Sequence, residues 1–341
     1  MIDNNQYFPA LTGFRAVAAW VVFAHHYNPF SRESSIGFLS DLLHESYIGV
    51  SLFFVLSGFL ITIRYDDRTR PRVTFRQYLR NRFARIYPLF FLLTTITFLV
   101  LIPWNTWQYF VSVTLIQGFV DQWKFTGISQ AWSLTVEETF YLLAPLIFIL
   151  IRRVKFPWLL PFAFLVIGVV IYAPSGSFNF MVLYTFFGRS FDFFAGIILA
   201  KVYQQRGHTI NNKQLFTSSG ILGVLLCVVL LALVRGDARY GVFTTPGLII
   251  HHLVLPASTA LLLWGLLVER SWVQRFLSNR VMKVLGKTSY AFYLIHLGFI
   301  AAWLSYLISS NALVLFVLLN IVAIALYYGV ERPLQRLFRA G

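Results

Sequence analysis

Ten stretches of this chain are apolar for close to the length that an α-helix needs to cross the hydrocarbon core of a bilayer. They fall near residues 10 to 28, 47 to 64, 84 to 103, 131 to 151, 156 to 174, 182 to 201, 215 to 234, 246 to 268, 289 to 308 and 312 to 330. Within a bilayer, backbone N–H and C=O groups find no water, so such stretches must pair those groups internally as helices. An all-α fold is expected, a polytopic transmembrane helix bundle of about ten spans. The composition agrees: 58% of the 341 residues are hydrophobic, 12% are charged, and the mean hydropathy is +0.69, far from the balance of a soluble domain. The run from Trp107 to Val120 is apolar but short and reads as an interfacial or re-entrant piece. Met1 to Ala10 lacks a basic region and the first apolar run holds Arg15, so no cleavable signal is expected.

The basic residues give an orientation. Most of the 28 Lys and Arg gather in alternate connections: Arg64, Arg68, Arg70, Arg72, Arg76, Arg80, Arg82 and Arg85 in one, and Arg152, Arg153, Lys155, Lys201, Arg206, Lys213, Arg270, Arg275, Arg280, Lys283 and Lys287 in later ones. Arg332, Arg336 and Arg339 join them in the tail, while the opposite side receives Arg32, Lys124, Arg235 and Arg239. By the positive-inside rule, ten spans with both termini cytoplasmic satisfy every loop. The net charge of +15 then reflects orientation and membrane lipids, with no nucleic-acid partner. A lone cysteine, Cys227, excludes an intrachain disulfide. No repeat, low-complexity tract or linker divides the chain, which points to one domain over residues 1–341.

Ionisable residues inside apolar spans are costly and usually face a bundle interior or a watery path. Arg15 and His26 are eleven positions apart on the first span, about three helical turns, and so project from one face roughly 16 Å apart. Their bland reading is a snorkelling arginine and an interfacial histidine. His25 points about 100° away from His26 and reads as structural. Glu137 and Glu138 stand near the outer end of the fourth span, where they face either a site or the outer headgroups. Arg189 and Asp192, at helical spacing, read first as an internal ion pair. Arg82 and Arg85 share one face at the mouth of the third span, suited to phosphates, those of lipid headgroups included. His251 and His252 are adjacent, which is not metal-ligand spacing, and no metal is expected.

Several segments stand in order along the chain: Leu11-Thr-Gly-Phe-Arg15 running to His26, Gly49-Val-Ser-Leu-Phe-Phe-Val-Leu-Ser-Gly-Phe-Leu60, Arg80-Asn-Arg-Phe-Ala-Arg-Ile-Tyr-Pro88, Ala131-Trp-Ser-Leu-Thr-Val-Glu-Glu-Thr-Phe-Tyr141 and Ser289-Tyr-Ala-Phe-Tyr-Leu-Ile-His296. With Val330-Glu-Arg-Pro333 they resemble the successive motifs of the acyltransferase-3 family of polytopic membrane O-acyltransferases. The resemblance covers the transmembrane domain only, and the extra hydrolase-like domain of some members is not expected within these 341 residues. It implies transfer of an acyl group, with acetyl from acetyl-CoA foremost, from cytoplasmic acyl-CoA to a hydroxyl of a cell-surface glycan or lipid-linked saccharide. A multi-pass protein of the bacterial cytoplasmic membrane is the implied setting.

The family's arginine, ten residues, histidine pattern falls on Arg15 and His26. An imidazole with an unperturbed pKa near 6.5 can take the proton of an attacking hydroxyl, so His26 is the expected general base. Arg15, Arg82 and Arg85 are expected on the acyl-CoA. Ser51 departs from the family, which commonly has an acidic residue there. It is expected at about the depth of His26, where serine cannot supply the charge a carboxylate would give the imidazolium. Glu137 is the expected replacement, and Ser51, Glu138, Arg189 and Asp192 are candidate acceptor contacts. His296, with Tyr290 and Tyr293, is expected in the cytoplasmic half, with a donor-side or packing role. Pro103 to Gln130 reads as a lid over the acceptor, with Trp104, Trp107 and Trp123 open to sugar stacking. The rival class is a transporter or flippase, in which Arg15, His26, Glu137, Arg189 and Asp192 line a translocation path, although no repeated halves are visible. A scaffold without turnover would leave those charges without a role.

Overall fold

Helix is the only regular structure among the described residues of the computed structural model, which are 7–30, 37–66, 73–206 and 214–340. Arg32, Arg68, Arg70, Arg72 and Lys213, used in the topology reading, lie outside the described residues, as does the start of the segment read for a signal. In chain order the helices are α1 (Pro9–His26), α2 (Gly37–His44), α3 (Gly49–Tyr65), α4 (Phe75–Val100), α5 (Thr106–Val113), α6 (Trp132–Arg153), α7 (Leu160–Tyr172), α8 (Phe178–Tyr184) and α9 (Phe186–Arg206). They continue as α10 (Leu215–Val234), α11 (Thr245–Ile249), α12 (Leu255–Val268), α13 (Trp272–Leu277), α14 (Arg280–Ile295), α15 (Phe299–Leu307), α16 (Ala312–Leu326) and α17 (Arg332–Ala340). Side-chain caps mark several starts. Thr74 accepts from Gln77 N at the head of α4, and Asn311 accepts from Leu313 N and Val314 N at the head of α16.

Among the described residues, eight helical stretches are long and apolar enough to cross a membrane, and nine if α14 and α15, bent by 89° at their junction, make one span. α1 is not among them. Thr12, Gly13, Arg15, His25 and His26 lower its hydropathy, so the ten-span reading requires packing to carry it into the membrane. Val166, Val170, Leu222, Leu233 and Leu313 stand exposed on α7, α10 and α16, as lipid-facing side chains do. α5 is 8 residues long, about 12 Å, too short to cross.

The junction of α14 and α15 turns at Gly298, whose φ of 95° suits glycine alone. Carbonyls freed by such a break need new donors. Gln130 Nε2 supplies Tyr293 O (3.0 Å) and Leu294 O (2.8 Å), and His296 Nδ1 lies 2.7 Å from Tyr293 O.

The chain forms two compact units, Met1–Leu60 with Ala195–Ser289, and Ile61–Phe194 with Tyr290–Gly341. In the first, α1 and α3 run antiparallel, as four contacts taken in order show. His25 Nδ1 meets His44 O at 2.6 Å, Gly49 abuts Ala18 and Val22, the Arg15 guanidinium lies 5.8 Å over the Phe53 ring, and Phe8 meets Phe59 edge-on at 5.6 Å. α1 and α14 touch backbone to backbone, because a Cβ at Gly286 would lie 1.8 Å from the Thr12 carbonyl oxygen. The buried Glu269 carboxylate caps α10, accepting from Phe216 N (2.8 Å), Thr217 N (2.8 Å) and the Thr217 hydroxyl (2.6 Å). In the second unit, Phe140 stacks on Phe193 at 4.3 Å and the buried Asp66 pairs with Arg152.

Candidate functional site

In the first unit, α1 carries both residues of the arginine–histidine pattern. Arg15 is half-buried, and its Nε donates to the Ser289 hydroxyl at 3.4 Å while the guanidinium lies over Phe53. That hydroxyl in turn donates to Gly286 O at 2.9 Å. Three of the motifs read from the sequence thus meet at Arg15. His26 ends the helix with an exposed side chain, its ring 4.7 Å from that of His25. A recessed cation and an open imidazole on one helix suit an anionic group at one end and proton transfer at the other.

Ser51 is not level with His26. Gly49 abuts Ala18 and Val22, and Phe53 lies under Arg15, so Ser51, fully buried between them, stands opposite residues two turns inside His26, about 12 Å along the axis. The expectation assumed that the chain re-enters just before Gly49. Instead α2 and the 3-10 turn Glu45–Ile48 already occupy the level of His25 and His26. The acidic residues found there are Asp41 and Glu45. Arg235, buried, donates from Nη2 to Asp41 Oδ1 at 2.6 Å and from Nη1 to His44 Nδ1 at 3.1 Å. Glu45 is fully buried and accepts from Gly241 N at 3.1 Å. Sequence reasoning missed this group. Its signal was the close spacing of Asp41, His44 and Glu45 ahead of Gly49, with Arg235 among the few arginines set apart from the basic loops.

In the second unit, Arg82 lies buried against two rings. Its guanidinium is 5.5 Å from the centroids of both Tyr65 and Tyr141, and Nη2 donates to the Tyr65 hydroxyl at 3.4 Å. Its Nε is buried without a hydrogen-bond acceptor. Tyr78 donates to Tyr141 O at 2.8 Å, and the Tyr141 hydroxyl donates to Glu137 Oε1 at 2.5 Å. Glu138 is close enough to interact electrostatically with Glu137 and Arg82. Arg85 is half-buried on the same helix, with its backbone carbonyl accepting from Gln335 Nε2 at 3.4 Å. The tyrosine setting of Arg82 was not legible in the arginine spacing.

Arg189 and Asp192 are both buried, with Nη1 and Oδ2 3.6 Å apart, and Arg189 Nε donates to Leu183 O at 2.8 Å. This is the internal pairing that their spacing suggested first. His296 departs from its expected depth. It lies at the far end of α14 from Arg280, beside Gln130 and Ser133 at the start of α6, where Tyr293 shares a 2.7 Å hydrogen bond with Ser133. α14 starts at Arg280, well ahead of the apolar run near 289, and so carries His296 further along. Among the described residues no group of His, Cys, Asp and Glu could hold a metal ion; His251 and His252 instead face each other, Nδ1 to Nδ1, at 2.9 Å.

Fold and side chains together define a multi-pass integral membrane protein with ionisable groups recessed among its helices. The chain belongs to the acyltransferase-3 family, whose acyltransferase-domain model matches residues 8–332. It is similar to the O-acetyltransferase OatA of Staphylococcus aureus strain NCTC 8325 / PS 47, and to the proteins of the same name in strains COL and MRSA252, at 25% identity over 370 residues and 98% of this chain. The chain spans 58% of the length of these curated relatives. No solved structure matches it.

Proposed function

We propose that this protein is a membrane O-acetyltransferase that moves an acetyl group from acetyl-CoA, taken from the cytoplasm, to a hydroxyl of a cell-surface glycan or lipid-linked saccharide in a bacterial cytoplasmic membrane. The observation that carries the reading is α1 itself. It presents an open imidazole at its end and, eleven residues back, a recessed guanidinium held by Ser289 and Phe53. The family match and the O-acetyltransferase name of the relatives support the same chemistry.

In the proposed step His26 takes the proton of the acceptor hydroxyl as its oxygen attacks the thioester carbonyl. The carbon–sulfur bond breaks, the acetyl group passes to the acceptor oxygen, and the coenzyme A thiolate leaves and takes up a proton. Arg15, Arg82 and Arg85 hold phosphate or pantetheine oxygens of the donor. The rings of Tyr65 and Tyr141 lie against the Arg82 guanidinium, and its Nε without an acceptor supports a ligand there. Glu137 belongs to the catalytic set through the motif it stands in, and Glu138 and Ser51 are assigned to the acceptor side on the same ground.

The test is acetyl transfer by purified protein in lipid nanodiscs. Labelled acetyl-CoA is supplied with saccharides released from the source cell's envelope, and label in the saccharide fraction is counted. Transfer that disappears in His26→Ala supports the reading. A transporter lining its path with Arg15, His26, Glu137, Arg189 and Asp192 would yield no acetylated saccharide.

A further inference from the structure

Helix ends fray because their last carbonyls have no intrahelical partner, and His26 is the last residue of α1. Here that turn is pinned on both sides of it. Before it, the His25 ring donates from Nδ1 to the carbonyl oxygen of His44 at 2.6 Å. After it, the Asn28 side-chain amide donates to the Ser40 carbonyl oxygen (2.9 Å) and hydroxyl (3.1 Å), and Asn28 Oδ1 accepts from Phe30 N at 3.0 Å. The Ser40 hydroxyl closes the loop by donating to Phe30 O at 3.0 Å.

Ser40 and His44 lie four residues apart on α2, one helical turn, so both pins land on the same short helix. That helix has its own anchor. Arg235 ties Asp41 to His44, the His44 ring stacks on Tyr240 at 4.9 Å, and Glu45 holds Gly241 N. All of these residues belong to the first unit.

We propose that His25 and Asn28 are positioning residues that fix the direction of the His26 imidazole by clamping the end of α1 to α2. The proposal rests on the reading of His26 as general base. Because adjacent helical residues are about 100° apart, fixing the azimuth of His25 fixes that of His26. A base must lie within hydrogen-bond reach of the proton it removes, and a displacement of about 1 Å can cost on the order of 100-fold in rate. The Nδ1 hydrogen of His25 is committed to the His44 carbonyl, so its ring serves as a tether.

The test separates ring from tether in the nanodisc transfer assay. His25→Phe keeps a ring and loses the donor, whereas His25→Asn sets an amide N–H near the place of Nδ1. His25→Phe is expected to lower kcat by about 10- to 100-fold with the apparent KM for acetyl-CoA unchanged, and His25→Asn to restore most of it. Amide hydrogen exchange across residues 24–30 should quicken in His25→Phe and Asn28→Ala and stay close to wild type in His25→Asn. Equal impairment of His25→Asn and His25→Phe overturns the tether. So does a fully active His25→Phe beside an inactive His26→Ala, which leaves the reading of His26 intact. An active His26→Ala overturns that reading and the proposal with it.

Discussion

Arg15 Nε reaches the Ser289 hydroxyl across 274 positions of sequence. The contact joins the first and the last of the long motifs and leaves the guanidinium over Phe53 of the second. A planar, always-charged group with several fixed donors is what such a site requires, and an ammonium does not reproduce it.

Arg15→Lys is therefore expected to lose most acetyl transfer. Ser289→Ala, which removes one hydrogen bond worth about 0.5–1.5 kcal/mol, should reduce it by about tenfold or less. Steady-state kinetics with varied acetyl-CoA checks the order. Equal rates in the two variants would mean that the side chain of Arg15 is not held for chemistry.

Charge removal at Arg82 or Arg85 is expected to weaken coenzyme A binding by about 1–3 kcal/mol per charged hydrogen bond lost, read by isothermal titration with coenzyme A. Unchanged affinity in both Arg82→Gln and Arg85→Gln would move the donor site elsewhere.

Tyr141 has two roles that substitution can divide. Its ring lies against Arg82 and its hydroxyl donates to Glu137. Tyr141→Phe should leave coenzyme A affinity unaltered and lower kcat less than Glu137→Gln does, while Tyr141→Ala should weaken the donor as well. If Tyr141→Phe and Tyr141→Ala bind coenzyme A equally well, the ring does not hold Arg82 for the donor.

Glu269 is expected to be structural. Glu269→Ala deprives two backbone N–H groups and the Thr217 hydroxyl of their acceptor, a loss of about 1–3 kcal/mol, and should lower the Tm in detergent. The kcat of the folded fraction should stay at the wild-type value. An unaltered Tm would show that water replaces the carboxylate.

Close helix contact makes a sharper case at Gly286. Gly286→Ala puts a methyl 1.8 Å from the Thr12 carbonyl, a backbone atom that cannot rotate away, so α1 must shift. Overpacking of this kind costs about 1–3 kcal/mol. Because Arg15 lies one turn along α1 from Thr12, transfer should fall together with the Tm. Wild-type activity in Gly286→Ala would show that α1 tolerates the shift.

Hydropathy and motif order determined much about this protein. Apolar runs of bilayer length admit only helices, and the eleven-residue step from Arg15 to His26 is set by helical geometry whatever the neighbours are. The short piece at Trp107 likewise lacked the length to cross. Depth along neighbouring helices was another matter. Along the chain, Gly49 opens the second long apolar run and sets Ser51 level with His26, but α2 and the turn after it are helical too, and antiparallel packing places Ser51 two turns inward. The position of His296 depended on α14 starting at Arg280, ahead of its apolar run, and ending at a break whose carbonyls are satisfied by Gln130, a residue far away in sequence. Arg235, Asp41 and His44, or Arg82 with Tyr65 and Tyr141, come together only through tertiary packing. A chain pattern repeats with the helix it forms, whereas the level at which two helices face each other is fixed by the close contacts between them, here those at Gly49 and Gly286, and those contacts exist only once the chain has folded.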